Sequence, residues 1–478
     1  MSDAVGAAPN RRATAWLVAL CCLPNASLVA YVNVALPSIR ETFGVNAATL
    51  SWASSGYITA GAAAAVACGR VADVLGLRRT MLACISGYTA ASLAVATSPT
   101  FALLVAARVV QGFCGMGLAS LAIAAGARLF DPTERARVMG LMLSMFGAGL
   151  IIASLAGGHL IEGVGWRWPF AGSGVLALLL LRGIVRHMPG VPAKEARPPM
   201  DFVGGALALA GIVGSLIWIN DLGRRPGGPR ALIALAVAVV AWTGFWSWIR
   251  RAPHPFLDPA LLRDGGYVTA CGLGGAMQAL YVGTGFLVPL VLHDVFHRSP
   301  GAIGLLVQPG FVALAACGLL SRRLLGRDPL AVVASVSVVA GLVGLALAAV
   351  GARSVMWYEL AAFAVFGGAY AIAQAGLTVV VARMLPDAYQ ATGLGFFAFF
   401  YFACGSLAVS ATGGVASGRK VAGHALLPWV GSRLVGFSDA FVVLGVLGLL
   451  CVVLAVAQQR RVGRVARMAD VPAPVPVA

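Results

Sequence analysis

Two polar side chains stand in an apolar run that should hold none. The stretch at about 101–128 contains Arg108 and Gln111, and with Gly112 and Gly115 they fill the i, i+3, i+4, i+7 positions of one helix face. A guanidinium at bilayer depth costs about 2.5–3.5 kcal/mol even on insertion scales. Two environments tolerate it. It can bond neighbouring carbonyls, or together with Gln111 it can face a wet cavity. The second predicts that Arg108 and Gln111 point into a central cavity, with the glycines allowing close helix approach.

A second group lies in a short loop, Gly69-Arg70-Val71-Ala72-Asp73-Val74-Leu75-Gly76-Leu77-Arg78-Arg79. Gly69 and Gly76 permit a tight helix-to-helix turn. Asp73 can face arginines and helix N-termini, where a carboxylate is favoured. Such a charge latch would hold one conformation and release it in another. A degraded copy, Gly318 to Arg327, lacks the acid. Two related loops in corresponding places are what a duplicated helix bundle leaves behind.

Other chemistry is absent. His159, His187, His254, His293, His297 and His424 are scattered, and no nucleophile–base constellation forms, so an enzyme is not expected. The nine cysteines fall in or beside apolar segments without a CxxC pair, so no metal site, other cofactor or disulfide framework is indicated. Nearly all acids sit in loops or at helix ends. Glu359 is the one carboxylate placed within a span, near its outer end, where the helix dipole favours a solvated acid.

Composition sets the frame for these residues. The chain is 60% hydrophobic and 11% charged, less than half the charge of a soluble domain, which is about 25%. Its mean hydropathy is +0.89. The net charge of +17 comes from basic residues clustered between apolar runs, which points to the cytoplasmic face of a lipid bilayer and not to nucleic acid.

A bilayer core needs about 20 apolar residues per helix. Runs of that length lie at about 14–36, 50–69, 80–97, 101–128, 137–160, 166–184, 202–220, 231–249, 267–292, 300–321, 329–351, 355–383, 390–418 and 438–458. The expected fold is all-α, integral to the membrane, with about 14 spans. Alternating the loops places more than twice as many Lys and Arg inside as outside, so both termini are expected in the cytoplasm. The polar, Pro-rich stretch at 182–199 is the best hinge. The expected organisation is an N-terminal six-helix bundle at 1–184, a cytoplasmic linker with an inserted helix pair at 185–265, a C-terminal six-helix bundle at 266–459 and a cytoplasmic tail at 460–478.

Several motifs carry a family resemblance. The Gly69–Arg79 loop is similar to the G-x-x-x-D-x-x-G-x-[RK]-[RK] loop of the major facilitator superfamily. Arg108 to Gly115 resembles that family's R-x-x-Q-G-x-G, with Cys114 in place of the last glycine. Gly149, Ala153, Ser154, Gly157 and Gly158 resemble the antiporters' G-x-x-x-G-P-x-x-G-G, with Ala-Ser at the Gly-Pro positions. Leu28 to Pro37 resembles the D-x-x-x-V-N-V-A-L-P run of the fourteen-span drug:proton antiporters, and Trp166–Phe170 and Asp201–Leu207 fit the same family. Leu28 sits where that family keeps an aspartate.

The resemblance implies two six-helix bundles plus two additional helices, in the cell's inner or plasma membrane. It implies export of a small amphipathic compound, drug or natural product, by alternating access coupled to protons, with Arg108 associated with the coupling. The absent aspartate favours an alternative, a narrow exporter or facilitator whose coupling is lost or borne by the substrate; if the protein is proton-driven, the coupling group is Glu359, an interfacial acid or the substrate itself. The cavity would be lined from the first and fourth helices of each bundle, by Asn25, Tyr31, Asn33, Arg108, Gln111, Gln278, Tyr281, Tyr370 and Gln374. Amides and phenols amid apolar walls, with one buried cation, suit a neutral or anionic ligand. Gly149, Ser154, Gly157 and Gly158 would form a helix-packing face. The partners expected are a small molecule, protons and lipid, with the chain a monomer.

Overall fold

The computed structural model describes residues 11–190, 201–222, 227–253, 257, 259–325, 328–350, 356–385, 390–418, 426 and 435–469. Among these residues there are helices and no strands. The first span is made of α1 (Arg11–Leu20) and α2 (Leu23–Phe43), broken at Cys21–Cys22. Then come α3 (Ala47–Leu75), α4 (Leu77–Ala96), α5 (Phe101–Leu129), α6 (Pro132–Val164) and α7 (Arg167–His187). The inserted pair is α8 (Phe202–Leu222) and α9 (Pro229–Ile249). After a short α10 (Pro259–Arg263) follow α11 (Gly265–Asp294), α12 (Pro300–Leu306), α13 (Gln308–Leu324), α14 (Pro329–Val350), α15 (Met356–Met384), α16 (Gln390–Gly418) and α17 (Val435–Ala469).

Local chemistry sets the boundaries. Gly44 ends α2 in the left-handed region, and Asn46 then caps α3 by accepting from Thr49 N–H. The Thr100 and Ser299 side chains do the same for α5 and α12. Apolar length explains the rest: twelve helices are long and apolar enough to cross a bilayer, or thirteen when α3, bent by 45° near residue 66, counts as one. α4 is not among them, because Arg78 and Arg79 occupy its first turn. It nevertheless packs against α5 and α7, so the count of about fourteen is approached and not fixed.

Helix contacts fall into two sets. In the first, α3 and α4 pack on α5, α4 on α7 and α2 on α6. In the second, α14 packs on α17, α13 and α14 on α15, and α11 on α16 and α17. Lipid supplies no hydrophobic drive between helices, so close backbone approach matters. Gly341 of α14 and Gly448 of α17 face each other's carbonyls. The sets meet along α3–α16, α6–α12 and α2–α11, while the α8–α9 hairpin leans on α16 and α3 through α8.

Candidate functional site

In the first set a buried polar centre surrounds Arg108, which is 2% exposed. Its Nε donates to the Ala53 carbonyl at 3.0 Å, and Nη1 donates to Gln111 Oε1 at 2.7 Å. Gln111 Nε2 in turn donates to Ser92 Oγ at 2.7 Å. The guanidinium carbon lies 4.1 Å from the centroid of the Tyr57 ring and 5.9 Å from that of Phe170, within cation–π range. Tyr57 donates its hydroxyl to Asn25 Oδ1 at 2.6 Å, and Tyr88 to the Pro24 carbonyl at 2.9 Å. Gly112 makes this possible: a Cβ there would collide with the Tyr57 carbonyl, so only glycine lets α5 press on α3. Gly115 leaves room for the Tyr88 ring and the Tyr57 hydroxyl.

In this conformation α3, α4, α5 and α7 surround the pair, and Arg108 Nε and Nη1 and Gln111 Nε2 donate to protein acceptors, the first of the two environments that tolerate a guanidinium here. Asn25 and Tyr31 are also inside the set: Asn25 serves Tyr57, and Tyr31 packs edge-on against Phe170 at 5.0 Å. Asn33, half-buried, is the first-set candidate that reaches the other half, beside Gly285 of α11.

The second set holds an aromatic stack instead of a charge. The Tyr281 ring of α11 stacks on Tyr370 of α15 at 4.3 Å and lies parallel to Phe363 at 6.1 Å. Phe311 meets Phe363 edge-on at 5.8 Å, and Tyr401 of α16 lies 6.0 Å from Tyr370. Tyr370 and Gln374 are half-buried, and Gln278 is buried with its Oε1 unpartnered. Glu359, Phe363, Tyr370 and Gln374 form one stripe along α15 at i, i+4, i+11 and i+15. Glu359 is 2% exposed, which overturns its reading as a solvated helix-start acid.

The halves are joined at the end where α2 stops and α3 begins, called here the Arg40 end. Arg40 makes a two-pronged ion pair with Asp294. His293 Nε2 lies 3.4 Å from Glu41 Oε1. Ala48 N–H donates to Ser417 Oγ at 2.7 Å there, and nearer mid-helix Thr59 and Ser406 share a bond at 2.6 Å. α6 contributes its small-residue face. Ser154 Oγ donates to the Gly304 carbonyl at 3.0 Å and Gly158 lies against the Pro300 carbonyl across the seam, while Gly157 against Tyr31 and Gly149 against Ala26 pack α6 on α2 within the first set.

A family model described as Major Facilitator Superfamily matches residues 18–409. The chain belongs to the major facilitator superfamily. It is a multi-pass membrane transporter, not an enzyme. The lincomycin resistance protein of Streptomyces lincolnensis is 30% identical over 68% of this chain and 68% of its own length. The puromycin resistance protein of Streptomyces alboniger is 29% identical over 62% of this chain and 59% of its own length. The crystal structure of the POT family transporter PepTSo aligns with a TM-score of 0.70 at 13% identity, covering 96% of this chain and 99% of that one, a likeness of fold alone.

The superfamily's loop lies at the far end of α3. Asp73 Oδ1 accepts from Arg128 Nη2 of α5 at 2.6 Å, and Arg78 donates to the Val185 carbonyl of α7, while Arg79 is exposed. Gly76, with φ +90°, makes the turn. Gly69 does not: it lies inside α3, in the segment beyond the bend, so only one of the two glycines is a turn residue. In the degraded copy, residues 326–327 lie outside the described residues.

Sequence reasoning missed Tyr57, Tyr88, Ser92, Phe363 and Tyr401. Tyr88 and Ser92 stand one turn apart on α4, and the α15 stripe repeats at helical spacing, so periodicity carried a signal for both. Nothing local in the sequence marks Tyr57 as the partner of Arg108.

Proposed function

We propose that the protein exports a small amphipathic compound, a drug or natural product, by alternating access in exchange for protons. The observation that carries this is the uneven joining of the two helix sets. Hydrogen bonds between their described residues cluster at the Arg40 end, whereas Asp73 and Arg78 at the other end bond within their own set. Helix sets bonded at one end are one member of the pair of states that alternating access requires. The Arg40 end is then the outer face, both termini lie in the cytoplasm, and the protein works as a monomer in the cell membrane with residues 1–184 and 266–459 as its moving halves. Tyr281, Tyr370, Gln374, Gln278 and Asn33 line the substrate path. Arg108 and Gln111 hold the first half together behind it.

Lincomycin and puromycin, named for the two relatives, are the first compounds to test. Everted vesicles carrying the protein should accumulate one of them when a pH gradient is imposed, and Asp73→Asn should slow that uptake. Uptake that ignores the gradient would favour a facilitator, the reading suggested by Leu28 at the usual aspartate position. No uptake of any compound in a broad panel would sink export itself.

A further inference from the structure

Resting on the proton-coupled reading above, we propose that Glu359 is the residue that carries the proton, in place of the acid missing at Leu28. Glu359 lies in the first turn of α15, is 2% exposed, and its Oε2 is buried with no hydrogen-bond partner among the described residues. An ionised carboxylate removed from water without a cation or donors is costly, and it takes up a proton instead.

Among the described residues, charge on the neighbouring elements does not offset this. α12 and α14 carry no titratable side chain, and α13 carries none before Cys317. On α11 they are Tyr267, Cys271, Tyr281, His293 and Asp294, the last two engaged with Glu41 and Arg40. On α16 they are Tyr401 and Cys404. Tyr358 adjoins Glu359 on α15, and Arg353 lies outside the described residues.

The position links the acid to the stack. Phe363 is one turn along the same stripe and sits on Gly310 of α13, between Phe311 and Tyr281. Glu359 therefore lies one helical turn from a ring that packs parallel to Tyr281, so a ligand entering beside Tyr281 and Tyr370 meets the face of α15 that carries the acid. The step is proton transfer alone: the carboxyl O–H breaks, the proton leaves to water, and the carboxylate regains one from water on the other side of the membrane.

The test uses the full chain in proteoliposomes, with lincomycin or puromycin as the probe, whichever the wild type carries. Two quantities are measured: accumulation driven by a pH gradient, and counterflow exchange at equal pH. Glu359→Gln should lose the first and keep the second within about twofold of wild type, with Glu359→Asp restoring part of the loss. Gradient-driven accumulation kept by Glu359→Gln would overturn the proposal. So would loss of both activities with normal insertion, since the acid would then belong to binding or structure. A wild type that exchanges probe but ignores the gradient would overturn the proton-coupled reading itself, and this proposal with it. Should the variants fail to insert, dicyclohexylcarbodiimide labelling of wild-type Glu359, read by mass spectrometry, decides. Labelling at neutral pH that is lost at strongly alkaline pH is expected, and labelling that is absent or unchanged with pH overturns the assignment.

Discussion

Around Arg108 the buried side chains bond one another, although Tyr31 Oη, Ser54 Oγ and Ser55 Oγ have no hydrogen-bond partner among the described residues; around the Tyr281–Tyr370 stack of the second set no such network forms. Arg108 uses Ala53 and Gln111, Gln111 uses Ser92, and Tyr57 uses Asn25. Across the seam, Gln278 Oε1, Glu359 Oε2 and the Tyr401 hydroxyl are buried without partners, beside stacked rings. A satisfied network rigidifies, and an unsatisfied one waits for a proton, water or ligand. Arg108 is thus held by bonds within its own half, whereas the stack of the second half stands beside a buried carboxyl and a buried amide with unpartnered oxygens among the described residues.

That contrast can be broken or sharpened by substitution. Gly112→Val should have the largest effect, because a side chain there meets the Tyr57 backbone and no rotamer change relieves it. Overpacking costs about 1–3 kcal/mol or more, and the yield of monodisperse protein and its Tm in detergent should both fall. Arg108→Ala comes next. It leaves Gln111 Oε1 without its donor, at about 1–3 kcal/mol, so Tm should drop, with Arg108→Lys intermediate. If Arg108→Ala abolished transport with Tm unchanged, the framework reading of that half would fail.

Tyr370→Ala should do the reverse. Losing a stacked ring is worth about 0.5–1.5 kcal/mol, expected as a several-fold rise in KM with a small change in Tm. A fall in Tm as large as that of Arg108→Ala would make the stack structural too. Asp221→Asn is the control and the smallest effect. Its partner Arg230 is 68% exposed, so the bridge is worth less than about 1 kcal/mol, and Tm and transport should stay as in wild type.

The fold was legible because bilayer thickness sets helix length and the apolar runs announce it. The boundary between α2 and α3 is likewise written in Gly44 and Asn46. The site was legible in residue type and less so in direction. Arg108 and Gln111 share a face, as their spacing requires, but a helix in a bundle has neighbours on every side and spacing does not say which one the face meets. Tyr57, which settles that for Arg108, is distant in sequence. Glu359 was misread for a related reason: a helix's first turn is usually wet, and only the packing of α15 on its neighbours makes this one dry.

The inserted hairpin straddles the seam. Asn220 of α8 donates to the Ala48 carbonyl and Ser51 Oγ on α3, while Gly414 of α16 rests on its backbone. Any parting of α3 from α16 at that end must strand α8 with one of them. A pair of helices that looks like an appendix is thus obliged to take sides in each cycle, and whichever grip is stronger sets which half it travels with.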